Sequence, residues 1–196
     1  MNGDIIKLLS ALATTRYPCH DSAFQAAAAS ITETHGSINL LINSAGILSI
    51  PNTTLSKVQK SSLMLAYEHM WPLLKIGGRS ETGRGFALVA NMSAKVSSIG
   101  DNALGGWYAY RASKTALNQL TKTVSVEFRR KDNIACILLH PGTVDTDLSR
   151  PFQRNVPKDK LFTREFSVHK LLSIIDNVKK SDNGKFFAWD GQEIPW

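Results

Sequence analysis

Thiols are scarce in this chain: Cys19 and Cys136 are the only cysteines in 196 residues. Two cysteines, one of them inside an apolar run, exclude a disulfide scaffold and suit a reducing compartment. Long apolar runs are missing as well. None approaches the roughly 20 residues that a membrane helix requires, so no membrane partner is expected. Acidic residues are in the minority, 16 against 23 Lys and Arg, for a formal charge of +7. The basic residues are scattered, without a dense cluster or interleaved stacking aromatics, so nucleic acid is not read as a partner. A solvated basic surface that favours the arrival of an anionic cofactor fits better. No secretory cleavage pattern is evident. The segment from Met1 to Pro18 is mildly amphipathic but has one Lys and one Arg, a poor import signal; a cytoplasmic location is expected, with organelle import as the minor alternative. No metal site is expected, and no internal repeat is present.

What the chain does have is the balance of an ordinary globule, 43% hydrophobic and 20% charged. At this length one domain buries roughly two thirds of its unfolded surface. Residues 1–20 predict only an irregular N-terminal segment. Asp21 and Ser22 are good helix caps, and an Ala-rich helix from Phe24 to His35 follows, closed by Gly36. Ile38–Asn43, Phe86–Asn91 and Ile134–Leu139 are short apolar runs of the kind found in buried parallel strands. A helical pattern covers about 54–75, and Gly77, Gly78, Gly83 and Gly85 then predict a flexible loop. Residues 147–162 predict a mobile loop, and a helix near 165–177 and a strand at 186–189 complete the chain. Strands alternating with helices imply an α/β fold, a Rossmann-type parallel sheet with helices on both faces, over residues 21–196.

The segment around Tyr110 and Lys114 organises this pattern. Their spacing places a phenol and an ammonium one turn apart on one helix face. Leu117, Leu120, Val124 and Phe128 continue as an apolar stripe. In parallel sheets of this type ligands lie beyond the carboxyl ends of the strands. Asn43-Ser44-Ala45-Gly46, the serines after Asn91 and Pro141–Thr146 all fall at predicted strand ends. As an ordered set, Asn43–Gly46, Tyr110-x-x-x-Lys114 and Pro141-Gly142-Thr143-Val144-Asp145-Thr146 resemble the short-chain dehydrogenase/reductase family. The runs 98–102 and 108–114 are similar to its sniffer-like carbonyl reductases, the group that includes the C-signalling factor.

The resemblance implies an NAD(P)H-dependent oxidoreductase of carbonyl reductase type, acting on a small-molecule carbonyl or alcohol. Tyr110 would be the general acid/base. Lys114 would lower the tyrosine pKa and hold the nicotinamide ribose. A positive charge about 4 Å away at an effective dielectric near 20 favours phenolate by about 4 kcal/mol, roughly three pKa units. Asn43, Ala45 and Gly46 would lie by the adenosine and ribose, and Pro141, Gly142 and Thr146 by the nicotinamide. NADP or NAD is the implied cofactor, NADPH slightly preferred. Three departures stand against this. No Gly-x-x-x-Gly-x-Gly turn precedes Asn43, as if the first strands were lacking, which would leave strand 38–43 an exposed edge. The helix before strand 86–91 lacks the family's asparagine. Ala94 occupies the usual serine position, leaving Ser98, with Ser93 and Ser97 as alternatives, to polarise the carbonyl. The alternative function is a non-catalytic shortened member that acts by pairing with a full-length relative; the partner expected besides the substrate is that relative or a second copy of the chain in a homo-oligomer.

Overall fold

The computed structural model of the chain describes residues 21–44, 62–79, 84–129 and 131–196, with only the backbone for 62–65. The irregular segment expected over 1–20 therefore lies outside the described residues, as do the start of the helix expected from 54, and Ala45, Gly46 and Gly83. Four helices are described: α1 (Asp21–His35), α2 (Ser62–Gly77), α3 (Tyr108–Phe128) and α4 (Arg164–Asn177). The strands are β1 (Leu40–Asn43), β2 (Ala87–Met92), β3 (Ile134–His140), β4 (Thr143–Val144), β5 (Leu161–Phe162) and β6 (Phe186–Ala188). β1, β2, β3 and β6 form one parallel sheet in that spatial order. Among the described residues, β1 is an edge strand of that sheet.

Local chemistry sets the element ends. Gly36 takes φ 70° after α1, and its amide donates to the carbonyls of Ile31 and Thr32, closing the helix C-terminus. The Thr163 hydroxyl accepts from the Phe166 amide and caps α4. Alternation along the strands then sorts side chains to two faces. Ala87, Val89, Ile134 and Cys136 pack with Phe24, Ile31, Met70, Leu74 and Val124 of α1, α2 and α3. Leu88, Ala90, Ala135, Ile137 and Leu139 pack with Leu171 and Ile175 of α4. The two-faced burial is why β2 and β3 read as unbroken apolar runs rather than as alternating ones.

Two expectations need correction. The first concerns Gly77 and Gly78, which are close-approach positions rather than a flexible loop. A Cβ on Gly77 would stand 1.9 Å from the Ile38 carbonyl oxygen, and one on Gly78 2.4 Å from that of Asn133. The second concerns residues 147–162, which are ordered into 3₁₀ turns at Arg150–Asn155 and Lys158–Lys160 before β5. β5 pairs with β4, so Thr143 lies opposite Leu161 and Val144 opposite Phe162, and the excursion is closed at its base.

On the inner face of α3 the apolar stripe packs with Val124 buried and Leu117 and Phe128 half-buried against the core, and beside it Asn118, Thr121 and Ser125 are buried as well. Polar partners explain that face. Asn91, fully buried on β2, accepts from Asn43 Nδ2 at 2.8 Å and donates to the Tyr67 hydroxyl at 2.7 Å and to Thr121 Oγ1 at 2.8 Å. One amide thus joins β1, α2, β2 and α3. Burial pushes the Tyr67 phenol well above its ordinary pKa, so it stays protonated. Asn91→Leu keeps the volume but strands three polar groups, and should cost about 3 kcal/mol. Urea denaturation should show a lower midpoint at an unchanged slope; an unchanged midpoint would refute the bridging role.

Candidate active site

The carboxyl ends of β1, β2 and β3 and the first turns of α3 meet at one side of the sheet. Asn43 ends β1 opposite Asn91, and their side chains are hydrogen-bonded. β2 ends at Met92, whose carbonyl oxygen accepts from Lys114 Nζ at 2.8 Å. β3 ends at His140, followed by Pro141 and Gly142. Tyr110 and Lys114 lie in the first two turns of α3. The structure therefore brings Asn43, Tyr110, Lys114, Pro141 and Gly142 to one edge, as their sequence positions predict.

Entry into α3 is built unusually. Gly105, Gly106 and Trp107 have φ of 63°, 71° and 50°, three successive left-handed residues. Glycine adopts this region freely; tryptophan does so at a cost of about 1–3 kcal/mol. Arg111 holds the turn. Its guanidinium donates to the carbonyls of Gly105, Gly106 and Val96, with the Val96 contact at 2.8 Å. Thr115 Oγ1 donates to the Ser97 carbonyl at 2.9 Å. These bonds fasten the start of α3 to the 3₁₀ turn at Lys95–Ser97.

The three candidate serines differ in what their hydroxyls do. Ser93 donates to Asn118 Oδ1 at 2.6 Å. Ser97 donates to the Ala94 carbonyl at 2.6 Å and accepts from Asn118 Nδ2 at 2.7 Å. Ser98 accepts from the Asp101 amide at 3.0 Å. A hydroxyl has one proton to give. Those of Ser93 and Ser97 are engaged inside the protein, while that of Ser98 is unassigned among the described residues. All three side chains are buried. Asn118 and Arg111 were not singled out from the sequence, although Asn118 stands one turn beyond Lys114 on the same helix.

The electrostatics differ from expectation at Tyr110. Burial raises its pKa rather than a neighbouring charge lowering it. Lys114 is shifted down, also by burial. The simple charge-pair argument fails because the ammonium is fixed on the Met92 carbonyl and both groups are partly removed from water. Tyr110 is accordingly protonated at neutral pH and can give a proton. Gly142, at φ 78°, lies against rings: a Cβ there would meet Phe162 at 2.5 Å and Trp189 at 3.2 Å. Thr146 is hydrogen-bonded within its own turn: its amide donates to Ser149 Oγ and its carbonyl accepts from Ser149 and Arg150, just ahead of the 3₁₀ segment.

His140, which the sequence does not single out, is the last residue of β3. Its Nδ1 is buried without a hydrogen-bond partner among the described residues. Burial, then Lys95, pushes its pKa down to about 4 from 6.5, while Asp190 and Asp101 act in the opposite sense. Unfolded, His140 takes a proton near 6.5; folded, only near 4. Between those values the unfolded chain holds more protons, so stability falls as pH falls through that window, by up to about 3 kcal/mol. Denaturation midpoints at pH 7, 5.5 and 4.5 should show this loss, and His140→Gln should flatten it. An equally steep loss in the variant would refute the assignment.

Comparison with known proteins follows the same lines. Residues 11–157 match the family described as short chain dehydrogenase. C-signal of Myxococcus xanthus is 36% identical over 108 residues, covering 55% of this chain and 60% of that protein. The 1-hydroxy-2-glutathionyl-2-methyl-3-butene dehydrogenase of a Rhodococcus species is 36% identical over 113 residues, 56% of this chain and 47% of its own length. The chain thus spans about half the length of the curated relatives it matches. Among solved structures, the NADPH-bound carbonyl reductase from chicken fatty liver superposes with a TM-score of 0.75 at 34% identity, over 90% of this chain and 74% of that one. The carbonyl reductase Sniffer of Drosophila melanogaster follows at 0.72 and 28%, over 90% and 75%. On its parallel sheet, its Tyr110-x-x-x-Lys114 helix and these matches, the chain belongs to the short-chain dehydrogenase family.

Proposed function

We propose that the chain is a carbonyl reductase, with Tyr110 as general acid/base, Lys114 as its partner and Ser98 as the donor to the substrate oxygen. The observation that carries this is the placement of a protonated, half-buried Tyr110 one turn from an ammonium at the carboxyl edge of the sheet. The Tyr110 hydroxyl has no hydrogen-bond partner among the described residues. It is therefore available to a substrate oxygen, and its raised pKa keeps the proton in place until charge develops there. Ser98, with its proton unassigned, supplies a second donor to the same developing charge. Asn118 holds Ser93 and Ser97, and so positions the loop that carries Ser98.

A nicotinamide nucleotide fits the described part of this edge. Lys114 offers a fixed ammonium, and Asn43 and Pro141 flank it on neighbouring strand ends. When bound, such a group supplies hydride to the carbonyl carbon. Lys114, Asn43, Pro141, Gly142 and Thr146 would hold it, and by family resemblance Ala45 and Gly46 as well; NADPH is the preferred form. The substrate is a small-molecule carbonyl compound.

Two outcomes are expected. Tyr110→Phe, which retains the ring, should lower kcat/KM for carbonyl reduction by at least about a hundredfold. Ser98→Ala should lower it by about a hundredfold, and Ser93→Ala by less than about tenfold. Undiminished turnover in Tyr110→Phe, or the reverse order of the serines, would overturn these roles. Calorimetric titration with NADPH and NADH should give saturable binding. No binding at millimolar concentration would favour the rival reading, a non-catalytic member that pairs with a full-length relative.

A further inference from the structure

The residues after β6 fold back and reach the loop that leads into α3. Phe187 forms an antiparallel bridge with Glu193, and the Ile194 amide donates to the Phe186 carbonyl at 2.7 Å. Ile194 is buried with Leu138 and Phe186, which fixes this segment to β3 and β6. Trp196 is different, since it remains 38% exposed. Its ring lies near Phe186, with centroids 6.4 Å apart, and under Lys122 Nζ of α3 at 5.3 Å. These contacts hold the Trp196 main-chain oxygen in place, and that oxygen accepts from the Gly100 amide at 2.9 Å. The fit is close: a Cβ on Gly100 would stand 3.2 Å from the same oxygen and 3.5 Å from Pro195 Cβ. Among the described residues the neighbouring amides of this loop bond only locally, Asn102 to Ile99 and Ala103 to Asp101. The Lys95–Asp101 ion pair, at 3.5 Å, is exposed at both ends and adds little.

The next amide along the chain connects this contact to the site. Asp101 follows Gly100 directly, and its amide donates to Ser98 Oγ at 3.0 Å. Only two soft dihedrals separate one peptide plane from the next, so a fixed Gly100 amide narrows where the Asp101 amide can point. With one lone pair of Oγ taken by Asp101, the Ser98 proton is directed elsewhere. We infer that Trp196 is a positioning residue for Ser98: its main-chain oxygen fixes the Gly100 amide, which aims the Asp101 amide at Ser98 Oγ and leaves the hydroxyl proton for a substrate oxygen. The inference rests on the assignment of Ser98 as a donor and adds the group that orients it. Lys122 and Phe186 act on the serine only through Trp196.

Amide hydrogen exchange on the full 196-residue chain reads this relay without turnover. Trp196 lies outside the buried clusters, so Trp196→Ala should fold. It should speed exchange at Gly100 and Asp101 by about tenfold and leave β2 and β3 protected. Trp196→Phe, which keeps a ring under Lys122, should restore protection. In carbonyl reduction Trp196→Ala should lower kcat about tenfold at unchanged KM, as expected for an interaction used in the transition state. In a Ser98→Ala background it should cost nothing further. Gly100→Ala, which presses on the same bond from the loop side, should reproduce both changes. Unchanged exchange at Asp101, no rescue by Trp196→Phe, or a loss that adds in full to that of Ser98→Ala would overturn the relay. Undiminished turnover in Ser98→Ala, with faster Asp101 exchange in Trp196→Ala, would remove the serine's catalytic role and leave Trp196 as the holder of its hydroxyl. An inactive Ser98→Ala beside a fully active Trp196→Ala would do the reverse. In a parent chain without turnover Asp101 exchange decides alone: faster in Trp196→Ala it supports the relay, unchanged it overturns it.

Discussion

Two buried side-chain amides, Asn91 and Asn118, fix how α3 lies against the end of β2. An apolar contact can slide by an ångström at little cost, whereas a buried amide that loses its partners costs about 1–3 kcal/mol for each stranded group. Asn91 uses both ends of its amide on Asn43, Tyr67 and Thr121, and Asn118 does so on Ser93 and Ser97. Register between helix and strand is thereby set to hydrogen-bond precision. Lys114 can then reach the Met92 carbonyl, and Tyr110 is carried to the same edge. The chemistry of the site depends on this polar seam more than on the apolar core beneath it.

The seam was largely illegible in the sequence. Helix and strand positions could be read because β2, β3 and the Ala-rich α1 carry strong periodic signals. Asn118, Thr121 and Ser125 follow the same three- and four-residue steps, but small polar residues at that spacing ordinarily mark a solvated face. The partners of Asn118 and Thr121, namely Asn91, Ser93 and Ser97, stand 21 to 30 residues away, so only the folded chain reveals the pairing. Gly77 and Gly78 misled in a related way: composition suggests slack, while the backbone of a neighbouring segment fills the space where a side chain would go. The placement of Tyr110 was legible, but the sign of its shift was not. Pairwise attraction can be estimated from spacing, whereas desolvation and the carbonyl that engages Lys114 belong to the tertiary structure.

A raised tyrosine pKa also sharpens the direction of the proposed chemistry. Reduction of a carbonyl requires a proton to be delivered, and a phenol held above its ordinary value remains charged with that proton across the neutral range. His140, half-buried one residue before Pro141, keeps a further cation out of the same edge, because burial of its ring nitrogen holds the imidazole neutral down to about pH 4. Lys114 is thus the cation in contact with β2 at this edge among the described residues.

The pairing of β4 with β5 sets the ends of the segment between them side by side, with Thr143 against Leu161 and Val144 against Phe162. A chain whose ends are already joined has paid its closure entropy at the base, and each doubling of the length beyond costs only about 0.6 kcal/mol more. The interior of the excursion can therefore be exchanged or lengthened with little consequence for the sheet. Such a hinge-free clip makes the segment a replaceable cassette, one in which new sequences can be tried while the scaffold that holds Tyr110 is left alone.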